Sequence, residues 1–165
     1  MENKLEITRV LDAPRELVWK AWTDPEALAE WWGPKDFKIT VHKLEFKPGG
    51  QFHYDMLAHN GFQMWGLFTY KEINEPEKLV FINSFSDKDG NITRAPFFDG
   101  KWPLEIQNTM TLTEENGKTT LTLIGGPINA NEEEQAAFES NRKSMNQGFA
   151  GTFEKLDEYL AKEQK

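Results

Sequence analysis

Three histidines, His42, His53 and His59, are the side chains of this sequence best suited to general acid–base chemistry or to metal binding. His53 stands two residues before Asp55, and strand alternation puts both on the face opposite Tyr54, where we expect solvent. This spacing alone is a weak indication of either chemistry, because no HxxxH spacing accompanies it and the chain contains no cysteine. We therefore expect no metal ion at these residues.

Other catalytic signatures are absent from the sequence. The glycine-rich stretches 48–50 and 125–127 are predicted to be turns, since neither has the Lys-Ser/Thr of a phosphate-binding loop. No G-x-S-x-G nucleophile elbow occurs. Glu105, close to Trp102, could act as an acid or a base, but its setting also fits an exposed carboxylate at the start of a strand. The sequence thus predicts no catalytic residue and no cofactor.

Aromatic, methionine and asparagine side chains alternate along four predicted strands so that they share one face. At this spacing they form either a plain core or the lining of a ligand cavity. Asn83 and Asn108 are the informative members, because an inward-facing amide must be satisfied by backbone or water, or else orient a ligand. The strand residues that we predict to contact a ligand are Tyr54, Met64, Phe68, Phe81, Asn83, Asn108 and Met110.

Two adjacent tryptophans, Trp31 and Trp32, end a short helical stretch just before Gly33 and Pro34. They cannot both point inward from one helical turn, where neighbours lie about 100° apart. One is therefore predicted to pack in the core, and the other to lie at the loop, either at the rim of a cavity or exposed on the surface. Both are candidate ligand contacts, because the sequence does not distinguish which of them faces the cavity.

Two glycines, Gly148 and Gly151, lie three residues apart in the middle of the C-terminal helical pattern. Each costs a helix about 1 kcal/mol relative to alanine. Either the helix backbone approaches a neighbouring element closely there, or the glycines leave space above the sheet for a ligand. Met145 and Phe149 on the same helix are predicted to contact that ligand.

A longer irregular segment, residues 87–103, is unusually aromatic for a loop. Exposed aromatic side chains usually pack elsewhere or meet a partner, and loops of this length are usually functional or mobile. We interpret the segment as a flap over one end of the cavity, with Phe97 among its aromatic residues. Phe98 and Trp102 are predicted to contact the ligand, and Arg94 to pair with a ligand carboxylate.

The elements that must position these residues follow from hydrophobic periodicity. A strand at 4–11 precedes two short helices, the first with Asp12 as its predicted cap and the second starting at Asp24 and Pro25. A helical pattern runs from Asn131 to about Ala161. Between them lie six strand patterns, at 37–46, 51–58, 62–73, 78–86, 104–114 and 118–125. An antiparallel sheet has one face to bury, and the long helix can cover it. The predicted fold class is α+β: a curved antiparallel sheet of about seven strands wrapped on a long C-terminal helix, in one domain over 1–165.

Composition excludes several classes of function. The formal charge of −8, with basic residues scattered among acids, argues against nucleic acid as a partner. No window approaches the ~20 apolar residues of a membrane span, and the N-terminal stretch lacks the apolar run of a signal peptide. We expect a cytoplasmic protein with no membrane insertion.

Four stretches of the chain carry a family likeness: ITRVLDAPRELVWKAWTDPEALAEWWGP, KPGGQFHYDM, GLFTYKEINEPEKLVF and KTTLTLIGGPI together with QGFAGTFEKLDEYLAK. They resemble the START-like polyketide cyclase superfamily, and within it the branch named for the activator of the ninety-kilodalton heat-shock chaperone's ATPase. The segment DKDGNITRAPFFDGKWPLEIQNT is similar to one found in stand-alone bacterial members. The likeness runs from about residue 5 to 161.

The resemblance implies a helix-grip fold with a cavity between sheet and long helix, which holds apolar or aromatic small molecules in many relatives. It does not imply chaperone activation, because eukaryotic co-chaperones join this domain to a separate N-terminal domain for which we expect no room here. Where the family usually has Gly-Trp in the long helix, this chain has Gly148-Phe149, so an indole wall is not implied there.

The leading functional prediction is therefore the binding of a small apolar or aromatic ligand, without catalysis. An interaction module that contacts a chaperone, with a link to stress response, is the first alternative, and it predicts an exposed apolar patch near residues 96–102 and a filled interior. An enzyme of the cyclase or dehydratase type is the second, and it requires a titratable pair inside the cavity. Either a monomer or a homodimer agrees with the sequence.

Overall fold

The computed structural model describes residues 3–96 and 98–165. Within them a curved, unclosed antiparallel sheet wraps around the C-terminal helix, with strand order β1-β8-β7-β5-β4-β3-β2 and β6 paired to β5. The strands are β1 Leu5–Leu11, β2 Phe37–Leu44, β3 Gln51–Ala58, β4 Gln63–Asn74, β5 Lys78–Ser86, β6 Ile92–Thr93, β7 Ile106–Glu115 and β8 Lys118–Pro127. The helices are α1 Arg15–Thr23, α2 Pro25–Trp31, α3 Glu132–Ser140 and α4 Arg142–Glu163, with a short 3-10 helix at Phe98–Gly100.

The predicted fold class and the order of elements are confirmed. Asn116-Gly117 turns β7 into β8, and both residues have positive φ, as a tight hairpin turn of this sequence favours. Strand bounds differ from the predictions by up to two residues, and β6 is an additional two-residue strand within the 87–103 segment.

The C-terminal helical pattern is two helices rather than the single helix predicted. Asn131 begins α3 with a capping box, because its side chain accepts from the Glu134 backbone N–H while the Glu134 carboxylate accepts from the Asn131 backbone N–H. The helix ends at Ser140, and Asn141 stands between the two helices with φ −108° and ψ 7°. Helical periodicity alone does not reveal this interruption, since the apolar positions continue through it.

The predicted cap of the first helix, Asp12, is wrong, whereas the second helix starts at Asp24 and Pro25 as predicted. Pro14 is the N-cap of α1, in an extended conformation and without a side-chain hydrogen bond. Asp24 occupies the N-cap of α2, but its side chain makes no capping bond; Pro25 occupies the first turn, where its missing N–H costs nothing.

The main core fills one end of the space between sheet and helices. There α1 and α2 bury their apolar faces against α4 and the sheet, and Trp22 makes ring contacts with Trp31, Phe81 and Phe153. A second cluster at the other end contains Leu5, Ala95, Trp102 and Phe138. Among the described residues, no helix is both long enough and apolar enough to cross a membrane.

Candidate functional site

A cavity of about 450 Å³ lies between the sheet and α4, between the main core and the second cluster. Its volume falls within the ~300–1,000 Å³ typical of small-molecule sites. The cavity is lined by the sheet, by helices α3 and α4, by the 32–34 loop and by the 87–103 segment. The lining residues are Leu5, Trp32, Gly33, Pro34, Tyr54, Met56, Met64, Gly66, Asn83, Ser84, Phe85, Trp102, Ile106, Asn108, Gly125, Phe138, Asn141, Ser144, Met145, Gly148, Phe149 and Thr152. Because Pro34, Ser144 and Gly148 are exposed, the cavity opens to solvent along this side of α4.

Among the polar residues of the sheet that line the cavity, we call Tyr54, Asn83 and Asn108 the polar floor. The Asn83 amide donates to the Tyr54 hydroxyl and to the Leu67 carbonyl, each at 3.4 Å. The Asn108 amide reaches the Ile106 carbonyl at 3.5 Å. All three bonds are long and therefore weak. Burial raises the pKa of Tyr54, which keeps its hydroxyl neutral and able to donate.

Glycines in neighbouring strands make room for the polar floor. Gly66 lies opposite Tyr54, and Gly125 lies opposite Asn108. A Cβ built at Gly125 would stand 2.0 Å from Asn108 Oδ1, so this glycine lets the amide lie across β8. A side chain at either glycine would displace the polar group beside it.

The roof of the cavity is α4 together with the end of α3. Met145 and Phe149 line it from α4, and Phe138 lines it from α3. A Cβ at Gly148 would meet nothing within 4 Å, and one at Gly151 would meet only the Lys35 side chain, at 3.5 Å. Close approach of the helix backbone to another element therefore does not explain either glycine. Gly148 lines the cavity and Gly151 does not.

Trp31 and Trp32 both point inward, contrary to the expectation that one helical turn forbids it. Trp31 is fully buried, and its indole N–H donates to the Ala21 carbonyl at 2.8 Å. Trp32 has left the helix, with φ −70° and ψ 152°, so the helical angle between neighbours no longer applies. It lines the cavity and meets Phe68 edge-on, with ring centroids 5.1 Å apart.

The 32–34 loop that carries Trp32 is held from α4 through three consecutive carbonyls. The Thr152 hydroxyl donates to the Gly33 carbonyl at 2.8 Å. Lys155 donates to the carbonyls of Trp32 and Pro34, at 3.3 and 3.2 Å. Partial burial lowers the pKa of Lys155. The helix thus positions one wall of the cavity by bonds that need no particular side chain in the loop.

Eight of the fourteen side chains predicted to contact a ligand line the cavity: Trp32, Tyr54, Met64, Asn83, Trp102, Asn108, Met145 and Phe149. Four others, Trp31, Phe68, Phe81 and Met110, lie in the main core instead. The stacked pair Phe68–Phe81, with centroids 4.3 Å apart, shows how tightly that end is filled. Strand alternation identifies the inward face correctly, but it does not say which end of that face stays open.

Arg94 is placed outside the cavity lining. Its guanidinium pairs with the Glu134 carboxylate and donates to the Trp102 carbonyl at 3.1 Å. The Arg94 hydrogen bond, with a further one from the Asn131 backbone, lowers the pKa of Glu134. The arginine therefore fastens the 87–103 segment to α3 and does not line the cavity. Phe97 and the side chain of Phe98, the remaining predicted contact, lie outside the described residues.

Several lining residues were missed, although the sequence signals some of them. Met56, Phe85 and Ile106 each lie two residues from Tyr54, Asn83 and Asn108 respectively, and so on the same strand faces. No local signal marks Leu5, Asn141 or Ser144, because they reach the cavity through the pairing of β1 with β8 and the break between α3 and α4.

His53 and Asp55 lie on the face opposite Tyr54 as predicted, but they are not at the solvent. Both are buried, because Trp65 stacks on the His53 ring and the turn after β5 covers it, its Asp87 carbonyl 3.0 Å from His53 Nε2. Asp55 Oδ2 is 2.6 Å from His42 Nε2. In the part of the chain that the structure describes, no group of three or more His, Cys, Asp and Glu side chains could hold a metal ion.

Comparison with known proteins places this architecture in context. The family model for "Activator of Hsp90 ATPase homolog 1-like protein" matches residues 12–161. A search of curated proteins by sequence gives no match. Among solved structures, a protein from Arthrobacter aurescens is 28% identical with a TM-score of 0.80, and the match covers 96% of this chain and 86% of that one.

Two further solved structures are similar in fold. Protein Ms6760 from Mycobacterium smegmatis is 24% identical with a TM-score of 0.76, over 96% of this chain and 90% of that one. A protein from Staphylococcus epidermidis is 24% identical with a TM-score of 0.76, over 99% of this chain and 92% of that one. These likenesses agree with the helix-grip arrangement of sheet and long helix.

Proposed function

The chain belongs to the Activator of Hsp90 ATPase homolog 1-like family, whose fold is in general one that binds hydrophobic ligands, and from this premise we propose that it binds a small apolar or aromatic molecule in the cavity between sheet and α4. The observation that carries the proposal is the cavity itself: about 450 Å³, open to solvent and bordered by buried hydrophobic clusters.

The chemistry of the walls supports an aromatic or otherwise apolar ligand. Trp32, Phe85 and Phe149 offer ring faces and edges, which attract other rings in offset or edge-on geometry. Met64 and Met145 add flexible thioethers, which adapt to irregular shapes and contact rings favourably. Of the fourteen predicted contacts, we propose the eight that line the cavity as the ligand-binding residues.

The position of Gly148 favours the same function. The glycine stands at the exposed rim of the cavity and has no neighbour that would obstruct a side chain. It costs the helix about 1 kcal/mol relative to alanine without any packing reason. An opening that admits a ligand accounts for that cost.

The alternatives agree less well with these observations. A protein-interaction module predicted a filled interior, whereas the interior holds a cavity; Trp102, in the segment predicted to form its patch, is buried. The hypothesis of an enzyme requires a titratable pair inside the cavity, whereas Tyr54 is the one titratable side chain among the described lining residues.

Native mass spectrometry of the full chain purified from its own host tests the proposal, with denaturation and analysis of whatever is released. We expect a stoichiometric small molecule of largely apolar character. In Gly148→Leu the added side chain should narrow the opening and reduce the bound fraction. Ala150→Leu, an exposed position on the same helix outside the cavity, is the matched control. A bare protein mass, unchanged after incubation with a broad set of hydrophobic metabolites, would contradict ligand binding.

A further inference from the structure

The walls of the cavity carry no charged side chain in the part of the chain that the structure describes. None of its lining residues is Asp, Glu, Lys, Arg or His. An ionic group that becomes buried against apolar walls loses part of its hydration, and without an opposite charge or several hydrogen bonds nothing offsets that loss. The composition of the walls therefore selects against charged ligands.

Two basic side chains that hold segments around the cavity, Arg94 and Lys155, are engaged elsewhere. The Arg94 guanidinium, in the 87–103 segment, is paired with the Glu134 carboxylate of α3. Lys155 donates to the carbonyls of the loop that carries Trp32. The amino end of α4 adds little positive potential, because the carbonyl end of α3 lies next to it at Asn141 and its negative partial charge offsets the positive one.

The polar floor nevertheless offers unused hydrogen-bonding capacity at one place. Asn83 donates to the Tyr54 hydroxyl, which leaves that hydroxyl with its own proton to donate. The Asn108 amide makes a long bond to the Ile106 carbonyl, at 3.5 Å, although the residue is only 8% exposed. A buried amide with only weak hydrogen bonds destabilises the folded protein, unless another group supplies the missing hydrogen bonds. A ligand atom above the floor would do so.

We propose that the ligand is an uncharged ring compound whose hydroxyl or carbonyl group hydrogen-bonds to Asn108 and to the Asn83–Tyr54 pair. This inference rests on the proposed function and specifies its ligand class. The ring system lies against Trp32, Phe85 and Phe149, and the polar group lies on the floor. A hydroxyl and a carbonyl are both accommodated, because amide side chains can donate and accept while Tyr54 donates.

A competition assay on the full-length protein tests this ligand class. The reporter is N-phenyl-1-naphthylamine, an uncharged dye that fluoresces in apolar surroundings. The competitors share one ring system and differ in their polar group: naphthalene, 2-naphthol, 2-acetylnaphthalene, 2-naphthoate and 2-naphthylmethylammonium. We expect the naphthol and the ketone to bind roughly 3- to 10-fold more tightly than naphthalene, as one or two net hydrogen bonds provide. The two ions should bind at least about tenfold more weakly than naphthol.

Two variants assign the preference to the polar floor. Asn108→Leu and Asn83→Leu should each reduce the advantage of naphthol over naphthalene to less than about twofold, while naphthalene itself still binds. Asn146→Leu, at an exposed position of α4 outside the cavity, should leave the advantage unchanged. The naphthalene measurement shows that each variant is folded with its cavity intact, so a collapse of the protein cannot imitate the expected result.

The outcomes separate this inference from the proposed function. If 2-naphthoate or the ammonium compound binds as tightly as 2-naphthol, the cavity binds ligands but the inference about charge is wrong. If naphthol has no advantage over naphthalene in the wild-type protein, the role of the polar floor is wrong. If neither the dye nor any uncharged competitor binds, ligand binding itself fails and the inference falls with it.

Discussion

Gly66 lies directly beneath the ring of Tyr54, so that a Cβ at residue 66 would stand 2.4 Å from Tyr54 Cζ and 2.5 Å from its hydroxyl oxygen. The backbone of Gly66 lies outside the positive-φ region, so conformational strain gives no reason for a glycine there. What excludes a side chain is the tyrosine, which leans over β4 towards Asn83. One strand thus lacks a side chain in order that the neighbouring strand can direct a polar group into the cavity.

We therefore expect Gly66→Ala to lower the free energy of unfolding by about 1–3 kcal/mol, as overpacking of a closely fitted site does. The displaced tyrosine should also lose its bond with Asn83. Urea denaturation monitored by circular dichroism measures the change. In a Tyr54→Leu background, Gly66→Ala should lower the free energy of unfolding much less, because the obstructing ring is absent. An equal cost in both backgrounds would show that the tyrosine is not the cause.

Gly148→Ala should raise the free energy of unfolding by about 0.5–1 kcal/mol. Alanine is the better helix former, and its Cβ meets no atom within 4 Å. Chemical denaturation with an unchanged m-value is the measurement. A loss of stability would mean that the space above Gly148 is occupied in solution.

Thr152→Val should lower the free energy of unfolding by about 1 kcal/mol, because it removes the hydroxyl that donates to the Gly33 carbonyl. Thr119→Val removes a similar buried bond, to the Ala13 carbonyl at 2.7 Å, far from the cavity. The two variants should lose similar stability, but only Thr152→Val should weaken dye binding, because it frees the 32–34 loop. Equal affinities in the two variants would contradict a role of Thr152 in positioning that loop.

Trp31 and Trp22 provide a matched comparison of one buried hydrogen bond. Both indoles are buried, but Trp31 donates to the Ala21 carbonyl, whereas Trp22 Nε1 has no partner among the described residues. Trp31→Phe is expected to lower the free energy of unfolding by about 1–3 kcal/mol more than Trp22→Phe does. The first substitution removes a hydrogen bond, whereas the second removes a donor that has no partner. Thermal and urea unfolding of the two variants test this order, and the reverse order would contradict the assigned bond.

Glu134→Gln should show how the Arg94–Glu134 pair depends on pH. Because Arg94 holds the pKa of Glu134 below its ordinary 4.5, the pair stabilises the folded state above that value, and the stabilisation is lost as pH falls through the folded pKa. At pH 7 the variant should be about 0.5–1 kcal/mol less stable, a modest amount since the half-exposed Arg94 is screened by solvent. The difference should shrink progressively as pH falls below about 4.5.

Glutamine retains an oxygen for the capping box, so the variant removes the charge and keeps the cap. Unfolding free energies of the two proteins between pH 3 and 7 provide the measurement. A difference that stays constant over this range would assign the effect to the cap instead of the ion pair.

Local chemistry predicts much of this molecule. Alternation along the strands identified the inward faces that carry Tyr54, Asn83 and Asn108, and the Asn116-Gly117 turn was recognisable from two residues. Two expectations failed where conformation changes at a single residue. Trp32 leaves the helix, and Asn141 interrupts the C-terminal helical pattern, yet neither change alters the apolar periodicity.

By itself, the sequence determined the order of the elements, the buried face of the sheet and the family likeness, because these follow from the period of apolar residues and from turn chemistry. Only the tertiary structure decided which end of that face remains open. The tryptophans of α1 and α2 fill one end, so Phe81 and Met110 are core while Asn108, on the same strand face as Met110, borders the cavity. It also decided that Arg94 binds Glu134, forty residues away, and that a turn covers His53. The physical reason is that filled volume and ion pairing depend on contacts between distant residues, which local periodicity does not contain.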